Sequence, residues 1–165
     1  MNSLINKAKE LGKEIHKYQK YGEYPYAKHL NDVYLNLLKY DITDPAILAA
    51  SWLHDAIEDT DTSYDFIKEH INEEVADIVQ AVTNVQGVNR KERFAKTYPK
   101  IRKNPKALIL KLADRISNIE SCIINKNKSL LVMYVKEHKF FKKELKSNSK
   151  NSDLWGKLDF LVSSS

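Results

Sequence analysis

The chain has 165 residues, of which 42% are hydrophobic and 30% charged, a balance typical of one globular domain with a hydrophobic core. No stretch approaches the roughly 18 uninterrupted apolar residues of a membrane span, and the first residues lack the apolar run of a secretory signal. We therefore expect a cytoplasmic protein with no membrane partner. The single cysteine, Cys122, excludes an intrachain disulfide and a multi-cysteine zinc site, while 4 Gly and 4 Pro argue against disorder and many-turned β folds.

The net charge of +5 conceals two halves of opposite sign. The first 88 residues carry 8 Lys/Arg and 15 Asp/Glu, a net charge of −7, whereas residues 89–165 carry 19 and 7, a net charge of +12. An acidic half is suited to a cation and a basic half to phosphate. Solvated helix faces in a lysine-rich chain would give the same counts, so charge alone leaves both interpretations open.

Helical periodicity dominates the first half of the chain. Apolar residues recur at helical spacing over residues 4–18, which predicts an amphipathic helix ending near Gly22 and Pro25, and the pattern repeats over 30–38. The Asp44-Pro45 pair is a helix-start signal for a central helix that is apolar almost all round over 47–57. Ser63 predicts a short helix to residue 71, and Asn72 predicts another to about 82.

The second half continues in the same way. Residues 90–103 predict a basic helix interrupted by Pro99, and Asn104 with Pro105 predicts the start of a long helix to residue 124. Further helices are predicted over 130–146 and 153–162, with a polar break at 147–149. Because no strand alternation persists, we predict an all-α bundle of roughly eight or nine helices. We expect one domain over residues 1–165.

Four polar residues interrupt the apolar central helix: His54, Asp55, Glu58 and Asp59. Burying such groups is unfavourable unless something compensates them. On a helix, His54 and Asp55 can converge on one cation, and Glu58 and Asp59 follow one turn later. A His-Asp pair by itself is more often a satisfied structural pair than a ligand pair.

Two further residues extend this pattern. His29 lies in one apolar helix and Asp114 in another, so that two histidines and two aspartates form a mixed nitrogen and oxygen set. Such a set suits Mn²⁺, Fe²⁺ or Zn²⁺, whereas all-oxygen sets suit Mg²⁺ or Ca²⁺. A metal held this way can acidify a water molecule and polarise a phosphoryl oxygen.

The order His29, His54-Asp55, Asp114 resembles the H…HD…D pattern of the HD-domain metal-dependent phosphohydrolases. Within that superfamily, residues 53–60 (LHDAIEDT) and 111–118 (KLADRISN) resemble the two signature segments of the RelA/SpoT-type alarmone hydrolase domain. His16, Gln19, Gly22, Pro25, Tyr26 and His29 follow its opening motif. The resemblance covers about residues 8–145, and at this length the comparison is with the small stand-alone alarmone hydrolases.

The resemblance implies a role for each matching residue. His29, His54, Asp55 and Asp114 would hold one Mn²⁺ or another divalent transition metal, and Glu58 with Asp59 would position and deprotonate the attacking water. The residues expected to contact substrate are Lys20, Asn118, Arg115, Arg90, Lys91, Arg93 and Tyr134. Lys20 stands where the family usually carries arginine, and Leu30 follows His29 where the alarmone enzymes usually have proline.

The implied fold is an HD-domain helical bundle, and the implied activity is Mn²⁺-dependent removal of the 3′ pyrophosphate from the guanosine alarmone (p)ppGpp. Alternative substrates are (p)ppApp, NADPH or another nucleotide, and a more remote alternative is a non-catalytic nucleic-acid-binding or regulatory protein. The expected partner is thus a nucleotide rather than nucleic acid, and a homo-oligomer stays open. We expect His16 to be a structural histidine packed under Tyr18, and His70 and His138 to lie at the surface.

Overall fold

A computed structural model describes residues 3–146 and 151–164. In chain order, the elements are α1 (Ser3–Ile15), β1 (Lys20–Tyr21), β2 (Tyr24–Pro25), α2 (Ala27–Lys39), α3 (Pro45–Ser51), α4 (Ala56–Asp59), α5 (Tyr64–His70), α6 (Glu73–Val82), α7 (Arg90–Lys103), α8 (Pro105–Ile124), α9 (Lys128–Leu145) and α10 (Ser152–Ser163). The prediction of an all-α bundle is confirmed. Within the described ranges, none of these helices combines the length and apolar character that crossing a membrane requires.

Polar caps begin several helices at the predicted residues. Asp44 accepts hydrogen bonds from the amides of Ala46 and Ile47 at the start of α3, and Asn104 does the same for the start of α8. Ser63 and Asn72 cap α5 and α6 through single amide contacts. Each cap satisfies amide groups that a helix start leaves unpaired, which explains why the breaks fall where the sequence predicted them.

Two hydrophobic cores lie on either side of α8. One contains Trp52 and buried residues of α1, α2, α3 and α6, and the other contains Trp155 and Phe141 with residues of α7, α9 and α10. α8 contributes Leu110 to the first core and Leu112 to the second. This helix is therefore the shared wall between the two halves of the molecule, and its polar residues lie at their junction.

The predicted central helix is in fact two segments. α3 ends at Ser51, and α4 covers only Ala56–Asp59. Between them, the amides of Trp52 and Leu53 bond to carbonyls three residues earlier, at 3.1 and 3.0 Å, in the tighter 3₁₀ manner. Counting the two segments as one helix gives nine helices in the described chain, in agreement with the expected number.

Two other expectations about the elements were wrong, and one small element was not predicted. α1 ends at Ile15 rather than near Gly22, because Tyr18 is 90% exposed and does not continue the buried face. A two-stranded hairpin follows, turning at Gly22 with a φ of 61°, and its two-residue strands are too short to show alternation. Pro99 does not interrupt α7, which is continuous around it. The predicted break at 147–149 lies outside the described residues.

The predictions for the three histidines outside the metal cluster had different outcomes. His16 is buried as expected, but it stacks on Tyr26 with ring centroids 4.7 Å apart, not under Tyr18. His70 is exposed. His138 is buried, contrary to expectation, because α10 packs over it and places Asp159 Oδ1 2.8 Å from its Nε2.

Candidate active site

The predicted functional residues meet at a cavity of about 170 Å³ between the two cores. Its walls come from the β1–β2 hairpin region and from α2, α4, α7, α8 and α9. The lining residues are Tyr21, Tyr26, His29, Asp55, Glu58, Asp59, Asn84, Arg90, Phe94, Tyr98, Lys111, Asp114, Arg115, Asn118, Tyr134 and Phe141. Carboxylates and a histidine therefore share one cavity with arginine, lysine and aromatic side chains.

The four predicted metal ligands form a tight cluster on one side. His54 Nε2 lies 3.0 Å from Asp55 Oδ2 and 3.3 Å from His29 Nε2. Asp114 Oδ1 joins them from α8, 3.4 Å from His29 Nε2 and 3.6 Å from His54 Nε2. His29, His54 and Asp55 each offer one ligand atom, and these atoms lie within 4.8 Å of one another. This group can hold a divalent metal ion.

Neighbouring groups orient these side chains. His54 Nδ1 is 2.8 Å from the carbonyl oxygen of Ser51, which fixes the proton on Nδ1 and leaves Nε2 free to bind a cation. Asp114 accepts hydrogen bonds from Asn118 Nδ2 at 2.6 Å and from Lys111 Nζ at 2.9 Å. Two ring nitrogens and two carboxylates converge at buried or half-buried positions, so this donor set fits a transition-metal ion.

The charges of the cluster support the same interpretation. Burial favours the neutral form of Asp55, but the facing His54 and His29 hold the pKa of its carboxyl well below the ordinary range. Burial likewise opposes ionisation of Asp114, while Lys111 and both histidines lower its pKa. Both carboxyls are thus anionic at neutral pH, the form in which they bind cations.

Glu58 and Asp59 lie beside the cluster at the cavity wall. Glu58 accepts hydrogen bonds from the Asn84 amide at 3.0 Å and from Asn84 Nδ2 at 2.9 Å, so a residue from the end of α6 fixes its carboxylate. The Tyr26 hydroxyl donates to Asp55 Oδ2 at 2.6 Å and lies 3.2 Å from Asp59 Oδ2. Desolvation and the charge of Asp55 raise the pKa of Asp59 above its ordinary value.

The opposite side of the cavity is basic and aromatic. Arg115 is almost fully buried, donates from Nη2 to the Tyr134 carbonyl at 3.1 Å, and lies 4.3 Å from the centroid of Phe141. Arg90, at the start of α7, lies over Phe94 with 4.7 Å to the centroid. Glu137 bonds to Arg90 and also lies 3.5 Å from Arg115, so one carboxylate is shared between the two arginines.

The structure does not bring all of the predicted substrate contacts to this cavity. Arg90, Arg115, Asn118 and Tyr134 line it, but Lys20, Lys91 and Arg93 are not among its lining residues. Lys20 is exposed on β1, and Lys91 is exposed on α7. Adjacent positions on a helix are about 100° apart, so Lys91 cannot share the direction of Arg90.

Sequence reasoning also missed several cavity residues, among them Lys111, Tyr21 and Asn84. Lys111 lies three positions before Asp114, one helical turn away, and that spacing could have identified it. Tyr21 stacks on His29 at 4.6 Å and donates to Asn118 Oδ1 at 2.8 Å. Asn84 is 26 residues from its partner Glu58, and no local signal connects them.

The structure is thus a helical bundle in which a His/Asp cluster that can hold a metal ion shares a cavity with two arginines. Residues 8–134 match the family model described as HD domain. The chain belongs to the HD-domain family.

Two proteins with similar sequences carry the same enzyme name. The chain is 39% identical over 123 residues to the guanosine-3′,5′-bis(diphosphate) 3′-pyrophosphohydrolase of Aquifex aeolicus, covering 71% of this chain and 17% of that protein. It is also 34% identical over 125 residues to the guanosine-3′,5′-bis(diphosphate) 3′-pyrophosphohydrolase MESH1 of Xenopus tropicalis. That match covers 71% of this chain and 68% of the relative. The chain thus spans less than a fifth of the Aquifex protein.

A solved structure shares the fold along nearly the whole chain. It is described as a metazoan ortholog of SpoT that hydrolyses ppGpp and plays a role in starvation responses. Its TM-score is 0.84, with 99% of this chain and 96% of that chain covered, at 24% sequence identity. This similarity confirms the helical arrangement.

Proposed function

We propose that the protein is a manganese-dependent 3′-pyrophosphohydrolase of the guanosine alarmone (p)ppGpp. The observation that carries the proposal is that one cavity combines the His29/His54/Asp55 cluster with the guanidinium groups of Arg90 and Arg115. Hydrolysis of a polyphosphate needs both a cation site and positive charge for the departing phosphates. The names of the Aquifex and Xenopus relatives support this substrate.

His29, His54, Asp55 and Asp114 would hold the metal. A set of two imidazoles and two carboxylates suits Mn²⁺, whereas Mg²⁺ and Ca²⁺ prefer sites made only of oxygen ligands. When bound, the ion would supply Lewis-acid polarisation of a phosphoryl oxygen and would acidify a water molecule. Ser51 and Asn118 support the ligands, because each fixes the orientation of a side chain in the cluster.

Glu58 and Asp59 would act in proton transfer from the attacking water. In this proposal, their carboxylates orient the attacking water and accept its proton as the water attacks phosphorus. Asn84 holds Glu58 by its amide and its side chain, so this carboxylate does not rotate freely. Asp59 lies 3.2 Å from the Tyr26 hydroxyl, which donates its hydrogen bond to Asp55. The water oxygen would bond to the phosphorus that carries the ribose 3′ oxygen, and the bond between that phosphorus and the 3′ oxygen would break. The products would be pyrophosphate and GDP or GTP, whose 3′ oxygen takes up a proton.

Arg90, Arg115, Asn118 and Tyr134 would contact the substrate. Guanidinium groups bind phosphate oxygens through paired N–H donors, and an aromatic ring beside them restricts their rotation. Lys20, Lys91 and Arg93 stay predicted contacts that could reach only parts of the substrate outside this cavity.

Product analysis tests the proposal. Metal-stripped protein is incubated with Mn²⁺, Mg²⁺ or Zn²⁺ and with ppGpp, pppGpp, ppApp or NADPH, and the products are separated. Asp55→Ala is the inactive variant, and Asp65→Ala, an exposed aspartate in the first turn of α5, is the matched control. We expect pyrophosphate from ppGpp and pppGpp with Mn²⁺, lost in Asp55→Ala and retained in Asp65→Ala.

The other outcomes contradict specific parts of the proposal. Turnover of ppApp or NADPH alone would keep the metal chemistry and replace the substrate. Equal rates with Mg²⁺ would contradict the choice of manganese. Full activity of Asp55→Ala, or no turnover of any of the four nucleotides, would contradict the proposed reaction.

A further inference from the structure

A single carboxylate joins the two arginines of the cavity. Glu137 on α9 accepts from Nε of Arg90 and, at 3.4 Å, from its Nη2, while Arg115 Nη1 lies 3.5 Å from Glu137 Oε2. The three side chains come from α7, α8 and α9. Two guanidiniums with one carboxylate leave one unit of positive charge, in a region where burial strengthens electrostatic attraction.

The two arginines depend on Glu137 to different degrees. Arg115 is held independently by the Tyr134 carbonyl and by Phe141, and its side chain is only 4% exposed. Arg90 is 37% exposed and begins α7, and Glu137 binds it at two nitrogens. Burial opposes charge on Arg90, yet the bond to Glu137 raises its pKa. Removing Glu137 would therefore release Arg90 rather than Arg115.

Glu137 lies behind the arginines. Arg90, Arg115 and Tyr134 line the cavity, whereas Glu137 is not among its lining residues. A guanidinium has five N–H donors in a planar fork, so Arg90 can bond to Glu137 and still present donors to another anion. Without a shared counter-ion, the two positive groups would repel each other.

We propose that Glu137 is a positioning residue, which holds the guanidinium of Arg90 beside that of Arg115 so that the pair receives a phosphate group of the substrate. This inference rests on the proposed function, because it assumes a phosphate-bearing substrate. It assigns Glu137 no contact with that substrate. Its effect is on substrate binding rather than on the chemical step.

The chain contains a matched control for this proposal. Arg102 and Glu144 form an ion pair between the same two helices, α7 and α9, at 2.8 Å, with exposures of 40% and 28%. Neither residue lines the cavity. A purely structural tie between α7 and α9 would give similar results at both positions, whereas a positioning role would act only at Glu137.

The test compares Glu137→Ala, Glu137→Gln and Glu144→Ala. We measure kcat and KM for ppGpp, the Kd of inorganic pyrophosphate for metal-free protein by calorimetry, and Tm. For Glu137→Ala we expect KM to rise about tenfold and kcat to change less than about twofold. This is the result expected when a variant loses a contact that is equally strong in the bound substrate and in the transition state. The Kd of pyrophosphate should rise in parallel. Glu137→Gln should show a smaller rise, because its amide oxygen still accepts from Arg90, and Glu144→Ala should change only Tm.

Two results would overturn the proposal. An unchanged KM and Kd in both Glu137 variants would make Glu137 a structural tie, and a lower KM in Glu137→Gln would make it a competitor of the substrate. If Glu137→Ala does not fold, Glu137→Gln decides the question. If the wild-type protein does not hydrolyse ppGpp, the pyrophosphate Kd of the Glu137 and Glu144 variants still tests the positioning role separately from the proposed function.

Discussion

The two sides of the cavity are built in different ways. The metal side takes three of its four predicted ligands from the acidic half of the chain, and its two adjacent members, His54 and Asp55, come from one turn. The basic side takes Arg90, Arg115 and Tyr134 from three helices of the basic half. One turn therefore supplies half of the metal side, whereas each of these basic-side residues comes from a different helix and depends on how α7, α8 and α9 pack together.

Each side also contains an acidic residue that comes from the basic half of the chain. Asp114 completes the metal cluster, and Glu137 joins the two arginines. Asp114 and Arg115 are adjacent on α8 and serve opposite sides, because successive helical positions differ by about 100° in direction. This helix therefore sets the separation of the two sides, and we expect substitutions on them to affect different kinetic constants.

The largest effect is expected on the metal side, at Asp114. Asp114→Asn removes one anionic ligand and leaves Lys111 without its ion-pair partner, so we expect metal affinity and kcat to fall by at least about 100-fold. Calorimetry with Mn²⁺ measures the affinity directly, without relying on turnover. Asp77→Asn, an aspartate on α6 outside the cavity, is the control. Wild-type metal affinity in Asp114→Asn would remove this residue from the ligand set.

The next effect separates proton transfer from metal binding. Glu58→Gln removes the carboxylate charge and should lower kcat by about 10²–10⁴-fold, the usual contribution of a general base. Asn84→Ala removes only the side chain that holds Glu58, so we expect a smaller fall in kcat. In both variants, Mn²⁺ affinity should stay near that of the wild type. A loss of metal binding in Glu58→Gln would mean that Glu58 is a ligand.

A third prediction concerns the basic side. Arg90→Ala should raise KM for ppGpp by about 10-fold or more with little change in kcat, because a charge-assisted phosphate contact is lost in both ground and transition states. Arg102→Ala, on the same helix but outside the cavity, should leave KM unchanged. A lower kcat with an unchanged KM in Arg90→Ala would contradict the assignment of the basic side to substrate binding.

The sequence predicted the parts of the molecule that depend on local spacing. Caps at Asp44 and Asn104 follow from residue type and position, and the resemblance to the HD family supplied His29 and Asp114 as partners of the His54-Asp55 pair. The 3₁₀ turn at 52–55 was missed because its apolar residues are buried in either geometry.

Contacts between distant segments could not be predicted in this way. Asn84 and Glu58 are 26 residues apart, and Arg90 and Glu137 are 47 apart, so neither pair has a periodic signal. His138 was expected at the surface, and only the packing of α10 buries it. Charge counts left phosphate binding by the second half as one of two open interpretations, and they did not indicate which of its cations would line the cavity.

The smallest expected effect lies outside the cavity and tests whether stability and activity are separable. Asp44 caps α3 and lies 2.6 Å from Lys106 Nζ. Asp44→Ala should lower the free energy of unfolding by about 1 kcal/mol through loss of the cap. Asp44→Asn keeps an oxygen for the two amides and loses only the ion pair, so its effect should be roughly 0.2–1 kcal/mol. Neither variant should change kcat or metal affinity.

The pH dependence of this effect has a definite sign. Burial opposes ionisation of Asp44, but hydrogen bonds from Lys106 and from the amides of Ile47 and Ala46 lower its pKa in the folded protein. A carboxyl whose folded pKa is depressed stabilises the protein above its unfolded pKa of about 3.9, and this contribution is lost as the pH falls through the folded value. Urea unfolding at pH 7 and at pH 3 should therefore show a larger difference between wild type and Asp44→Asn at pH 7. A difference that is as large or larger at pH 3 would contradict a stabilising ion pair between Asp44 and Lys106.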